Sequence, residues 1–153
     1  MIMIEFIERF EAFTTSVTKA YKCIQKIKLA ETEQMGLRGN HVMYLHYLGK
    51  KPEGLTPAEL CKLCIEDKAA VSRTIVDLAE KGFVKSAGTD SGRKYRTKII
   101  LTPEGMEKNN QLNEAIAMAV SKASSSLNEA DRENFYRVFF DVTDNLEKIC
   151  DSY

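Results

Sequence analysis

Apolar residues recur at alternating spacings of four and three along residues 3–29: Phe6, Phe10, Phe13, Val17, Ala20, Ile24 and Ile27. Such a near-heptad stripe predicts one long amphipathic helix that packs its seam against another helix. Gly36 to Asn40 interrupts the pattern, and a shorter helix carrying Val42, Leu45 and Leu48 follows and closes at Gly49. Lys50, Lys51, Pro52, Glu53 and Gly54 then form a polar linker.

The next helix has a complete start signal. Thr56 is placed to accept a bond from the Glu59 amide while the Glu59 side chain reaches back, Pro57 occupies the first helical position, and Leu55 and Leu60 have the spacing of a hydrophobic staple. Asp67 caps a further helix from Lys68 to Lys81, with Val71, Ile75 and Leu78 on one face and Gly82 ending it. At 100° per residue, Ala69, Arg73, Val76 and Glu80 lie opposite that face, with Ser72 and Asp77 beside it. Phe83 and Val84 begin an extended run, residues 88–92 (GTDSG) carry turn chemistry, and Tyr95 to Leu101 returns with strand-forming residues. Two short helices followed by a hairpin make a winged helix-turn-helix.

Leu101, Thr102, Pro103 and Met106 repeat the staple and cap logic, so a long helix starts at Pro103, with Met106, Leu112, Ile116, Val120 and Ala123 on its apolar face. It weakens at Ser124, Ser125 and Ser126. Asn128 caps a last helix whose apolar face is Phe135, Val138, Phe139, Val142, Leu146 and Ile149. The predicted fold class is mainly α (α+β). One domain spans residues 1–153, with a winged-helix lobe over 37–102 and a helical dimerisation region from 1–35 and 103–153.

Charge sharpens this picture. The chain balances 22 basic against 22 acidic residues. Between residues 68 and 98, however, Lys68, Arg73, Lys81, Lys85, Arg93, Lys94, Arg96 and Lys98 face only Asp77, Glu80 and Asp90. Positive charge gathered on one helix and a hairpin suits a phosphate backbone. In the last helix Glu129, Asp131, Glu133, Asp141, Asp144, Glu147 and Asp151 outnumber Arg132, Arg137 and Lys148, so that helix is expected to face away from DNA.

The segments TPAEL, DKAAVSRTIVDLAEKGFV and RKYRTKIILTPEG resemble the DNA-binding core of the MarR (multiple antibiotic resistance regulator) family of transcription factors. The start signal, the VSR-x-x-x-x-L-x-x-K-G-F run and the LT-x-x-G exit occur in order at the family's spacing. The resemblance implies a homodimer on pseudo-palindromic double-stranded DNA, with the helix holding Ser72 and Arg73 in the major groove and the hairpin at the minor groove. The DNA-binding set is then Thr56, Lys68, Ala69, Ala70, Ser72, Arg73, Arg93, Lys94, Arg96 and Lys98. The dimerisation set is Phe6, Phe10, Phe13, Val17, Phe135, Val138, Phe139, Val142, Leu146 and Ile149. Two features depart from the family's habit: Asp90-Ser91-Gly92-Arg93 replaces Asp-x-Arg at the wing tip, and Cys64-Ile65-Glu66 stands where a glycine often makes the inter-helix turn.

The other chemistries are weaker. Cys61 and Cys64 form a C-x-x-C within a helix, without the second pair of a zinc ribbon, and read as packing residues. His41 and His46 are five apart, off the spacing of a helical metal pair, and read as structural or exposed. No metal or cofactor is expected. Some family members sense oxidants through a first-helix cysteine, which singles out Cys23, and Cys150 with it, for a thiol-based redox regulator. No nucleophile with its base, carboxylate pair or phosphate loop supports an enzyme. A winged helix that binds protein in place of DNA would present an apolar face where this chain has Arg73 and a basic hairpin. Glu5, Glu8, Arg9 and Glu11 interrupt the apolar N-terminus, so neither a signal peptide nor a membrane span is expected, and the cytoplasm is the expected location. Family members often bind small aromatic acids, but no pattern here selects an effector.

Overall fold

The computed structural model describes residues 1–88 and 97–153. Its elements run α1 (Ile2–Glu33), α2 (His41–Gly49), α3 (Pro57–Cys64), α4 (Lys68–Glu80), β1 (Val84–Ser86), β2 (Ile99–Leu101), α5 (Pro103–Ala123) and α6 (Glu129–Cys150). They divide into two bodies, Met1–Ile116 and Ala117–Tyr153. Helix α1 runs past the predicted end at residue 29 because nothing stops it before Gly36, which turns left-handed at φ 67°. The added turn is anchored by buried Thr32, whose hydroxyl donates to the Lys28 carbonyl at 2.6 Å.

The core of the first body is built on α2. His41, Val42, Tyr44, Leu45 and Leu48 are all buried, so this short helix is covered on nearly every side. Leu37 before α2, Leu55 before α3, Leu60 of α3, Val71 and Leu78 of α4, Val84 and Ile99 of the sheet and Leu112 of α5 complete the core. At roughly 1.5–3 kcal/mol for each fully buried large aliphatic side chain, this cluster is the main source of the lobe's stability.

Local signals set the helix ends as the sequence indicates. Thr56 Oγ1 accepts from the Glu59 amide at 3.2 Å and Glu59 Oε2 accepts from the Thr56 amide at 2.9 Å, a full capping box. Asp67 Oδ1 accepts from the Ala70 amide at 2.8 Å, and Gly82 follows α4 at φ 80°, a conformation open to glycine. In α4 the buried face is Val71, Thr74 and Leu78, with Ile75 only half-buried. Thr74 takes the inner place because its hydroxyl has a partner there, described below.

Between α3 and α4 the chain turns at Ile65, with φ 56° and ψ 49°. This is the left-handed conformation that a glycine would adopt freely, here held by a β-branched residue whose side chain is 90% exposed. The turn therefore has the glycine geometry without the glycine.

Strands β1 and β2 pair antiparallel in the register Val84 with Leu101, Lys85 with Ile100 and Ser86 with Ile99. Leu55 bridges Ile99 through bonds of 3.0 and 2.8 Å, so the segment entering α3 is stitched to the sheet. Thr102 closes the corner into α5: its hydroxyl donates to the Gly82 carbonyl at 2.6 Å and accepts from the Gly105 amide at 3.0 Å. Gly105 is buried where any Cβ would overlap the Phe83 carbonyl oxygen. That close approach rotates α5 so that Gly105, Asn109 and Leu112 face inward, whereas Met106, expected on the apolar face, is exposed.

The second body comprises the end of α5, the serine corner and α6. Asn128 Oδ1 caps α6 by accepting from the Asp131 amide at 2.8 Å, and Arg132 Nη2 donates to the Ser124 carbonyl at 3.0 Å. No residue of α6 is buried. Among the described residues no helix is long and apolar enough to cross a membrane, and no cluster of His, Cys, Asp or Glu could hold a metal ion.

Candidate nucleic-acid interface

Helix α4 turns Lys68, Ala69, Ser72, Arg73 and Val76 to solvent, while Ala70 is half-buried. Small residues in the first turn let the backbone approach a flat or grooved partner closely, and Arg73 stands one turn further on. Thr56 is half-buried, and its hydroxyl is engaged in the capping box. Lys98 is exposed at the base of the hairpin, where its carbonyl accepts from the Ala87 amide at 2.8 Å. Arg93, Lys94 and Arg96 lie outside the described residues.

The orientation of α4 is fixed by polar ties from α2 and the turn before it. Asn40 Nδ2 donates to Thr74 Oγ1 at 3.2 Å. His41 is 1% exposed, and both ring nitrogens are used. Nδ1 accepts from the Arg38 amide at 3.0 Å, and Nε2 lies 3.0 Å from Asp77 Oδ2. This arrangement requires the neutral ring with its proton on Nε2, donated to the carboxylate. Burial lowers the His41 pKa from its ordinary 6.5, nearby Lys81 and Arg38 act in the same direction, and Asp77 opposes without overcoming them. A third tie runs from Tyr44, whose hydroxyl donates to Glu66 Oε2 at 3.0 Å and so holds the α3–α4 turn. Burial raises the Tyr44 phenol well above its ordinary value of 10.

The Asn40–Thr74 and His41–Asp77 ties line a polar cleft of about 160 Å³, bounded also by Arg38, Ala70 and Arg73. Sequence reading placed Arg73 here and missed Arg38, Asn40, His41 and Thr74. The signal for Arg38, Asn40 and His41 was a run of polar residues at the start of α2, which by itself reads as solvated surface, and Thr74 is one polar residue among several within α4.

The four cysteines are free. Cys61 and Cys64 are half-buried against the core, and burial with the nearby Glu66 carboxylate pushes the Cys64 thiol up to about 12. A thiol held protonated in this way is a poor nucleophile and a poor metal ligand. Cys23 and Cys150 are exposed on α1 and α6. His46 lies against α5, its Nδ1 3.3 Å from Asn113 Oδ1.

The fold and the exposed face of α4 define a winged helix-turn-helix protein. The profile of the MarR family matches residues 35–94, the greater part of the winged-helix lobe. Solved structures share the fold along nearly the whole chain. The Staphylococcus aureus MarR, in complex with salicylate and kanamycin, is 16% identical, with a TM-score of 0.81 over 94% of this chain and 96% of that one. The Staphylococcus aureus MepR in its DNA-binding conformation is 18% identical, with a TM-score of 0.79 over 88% of this chain and 98% of that one. A MarR family regulator from Listeria monocytogenes, complexed with a 26mer DNA, is 16% identical, with a TM-score of 0.78 over 87% of each chain. No curated protein matches the sequence. The architecture is that of MarR-family transcription regulators.

Proposed function

We propose that this chain is a sequence-specific regulator of transcription that binds a pseudo-palindromic operator as a homodimer, in the cytoplasm, and acts as a repressor. The observation that carries the reading is the exposed face of α4, where Ala69, Ser72 and Arg73 stand clear of the core on a helix fixed from behind. Such a helix enters the major groove, and an arginine there reads guanine through a bidentate contact. Lys68 at the helix start and Lys98 at the wing base, joined by Arg93, Lys94 and Arg96 in the sequence, supply the phosphate contacts. The solved DNA complex of a chain with the same fold supports this assignment.

Dimerisation is supported by apolar faces that the single chain leaves uncovered. On α1, Phe6, Phe10 and Val17 are exposed with Phe13 half-buried; on α6, Phe135, Val138, Val142, Leu146 and Ile149 are exposed with Phe139 half-buried. Phe6 at 62% and Phe10 at 68% are too open for a stable surface facing water, and a second copy of the chain is the natural cover. The helical segments 1–35 and 103–153 then form the dimer layer and residues 37–102 the DNA-binding lobe. A small-molecule effector is compatible with the salicylate complex of the Staphylococcus aureus MarR, and nothing in this chain selects its identity.

The test is a set of titrations on an operator duplex and a scrambled duplex, the operator taken from an inverted repeat upstream of the protein's own gene. Arg73→Ala is expected to lose about 1–3 kcal/mol of preference for the operator, while Lys98→Ala weakens binding to both duplexes and lowers the salt slope by about one per contact. Wild-type binding by both variants would remove this face from the DNA-binding surface and leave the protein-binding reading in its place.

A further inference from the structure

The cleft beside α4 holds a charge that the DNA-binding set does not use. Arg38 belongs to the turn before α2, its side chain is exposed, and among the described residues it makes no ion pair or side-chain hydrogen bond. Arg73, across the cleft, is equally uncommitted. The one acid of the lining, Asp77, is already engaged by His41 at 3.0 Å and by Lys81 at 3.7 Å. The uncommitted charge of the cleft is therefore two positive guanidinium groups. Its volume of about 160 Å³ leaves room for a tetrahedral anion entering from outside.

We propose that this cleft is a phosphate subsite for the DNA backbone, in which Arg38 is the contacting residue and the His41–Asp77 pair fixes its distance from the recognition helix. The inference rests on the DNA-binding reading above and adds to it a third contacting segment, separate from α4 and the wing. Three features support it. The Arg38 amide is bonded to buried His41, so the backbone of this arginine is set relative to α4 and not to a loose loop. Asn40, beside it, is bonded to Thr74 of α4, which adds a second fixed point. With Arg73 directed to a base edge, a phosphate flanking that base falls within the reach of a cation on the neighbouring wall, and guanidinium is the group best shaped to grip phosphate oxygens. The contact carries no sequence information, so it anchors the register of α4 on the duplex.

The experiment measures binding of wild type, Arg38→Ala and Arg38→Lys to operator and scrambled duplexes at several salt concentrations. Arg38→Ala is expected to weaken both duplexes by the same factor, leave the operator preference unchanged and reduce the slope of log affinity against log salt by about one per protomer. Arg38→Lys, which keeps the charge, is expected to retain the wild-type slope. A wild-type slope and affinity in Arg38→Ala would overturn the subsite while leaving the DNA-binding reading intact, and so would a lost operator preference at unchanged slope, which would make Arg38 a base reader. Absence of binding by the wild type itself would instead remove the DNA-binding reading on which the subsite depends.

Discussion

His41 carries more of the interface than its lone place in the sequence suggests. Its folded pKa lies below the ordinary 6.5 because the ring is buried, so the unfolded chain takes up a proton at a higher pH than the folded one. Stability from the neutral ring is then fully present above about 6.5 and is lost as pH falls from there toward the folded value. Protonation would also put an N–H on Nδ1, facing the Arg38 amide that it now accepts from. Urea midpoints measured from pH 7.5 to 5 should fall more steeply for wild type than for His41→Gln, and parallel curves would contradict this role. Ile65 gives a second expectation. At φ 56° a β-branched residue is strained by about 1–2 kcal/mol, part of which glycine's larger unfolded-state entropy offsets. Ile65→Gly should therefore stabilise the protein by about 0.5–1 kcal/mol, seen as a higher urea midpoint; a lower one would show that the exposed isoleucine is held by contacts beyond its own chain. Cys64, half-buried and held protonated, should resist iodoacetamide at pH 8 in the folded protein and react once it is unfolded, as mass spectrometry would show.

At the scale of elements, the parts legible in the sequence are those with local causes. The capping box at Thr56, the caps at Asp67 and Asn128, and the left-handed Gly82 each depend on residues within a few positions, and the structure has them all. Asp67→Ala should cost about 1 kcal/mol and Asp67→Asn nearly nothing, since Asn caps as well as Asp; equal losses in thermal denaturation would mean that the charge matters and not the cap. The ties that orient α4 were not legible. Asn40 to Thr74, His41 to Asp77 and Tyr44 to Glu66 join residues more than twenty positions apart, and periodicity cannot report which turn of one helix meets which turn of another. The inward place of Asn109 was hidden for the same reason: it follows from the close approach of Gly105 to Phe83, a contact across the chain. Arg38 lies outside the window of residues 68–98 in which positive charge gathers, whereas the cleft collects charge from two separate segments.

For the whole molecule, a neutral chain that gathers its positive charge on one lobe, while its terminal helices carry uncovered apolar faces, has two surfaces to satisfy. In the proposed homodimer a second copy would cover the apolar faces, and pairing would also set two recognition helices on one side of the assembly. Both surfaces report in one measurement: hydroxyl-radical footprinting of the operator duplex, with the mass of the complex determined on the same sample. Two chains of 17.3 kDa per duplex are expected, with two protected patches related by the two-fold of the inverted repeat and their centres about one DNA turn, roughly 34 Å, apart. One chain per duplex, a single patch, or protection no different on scrambled DNA would contradict it.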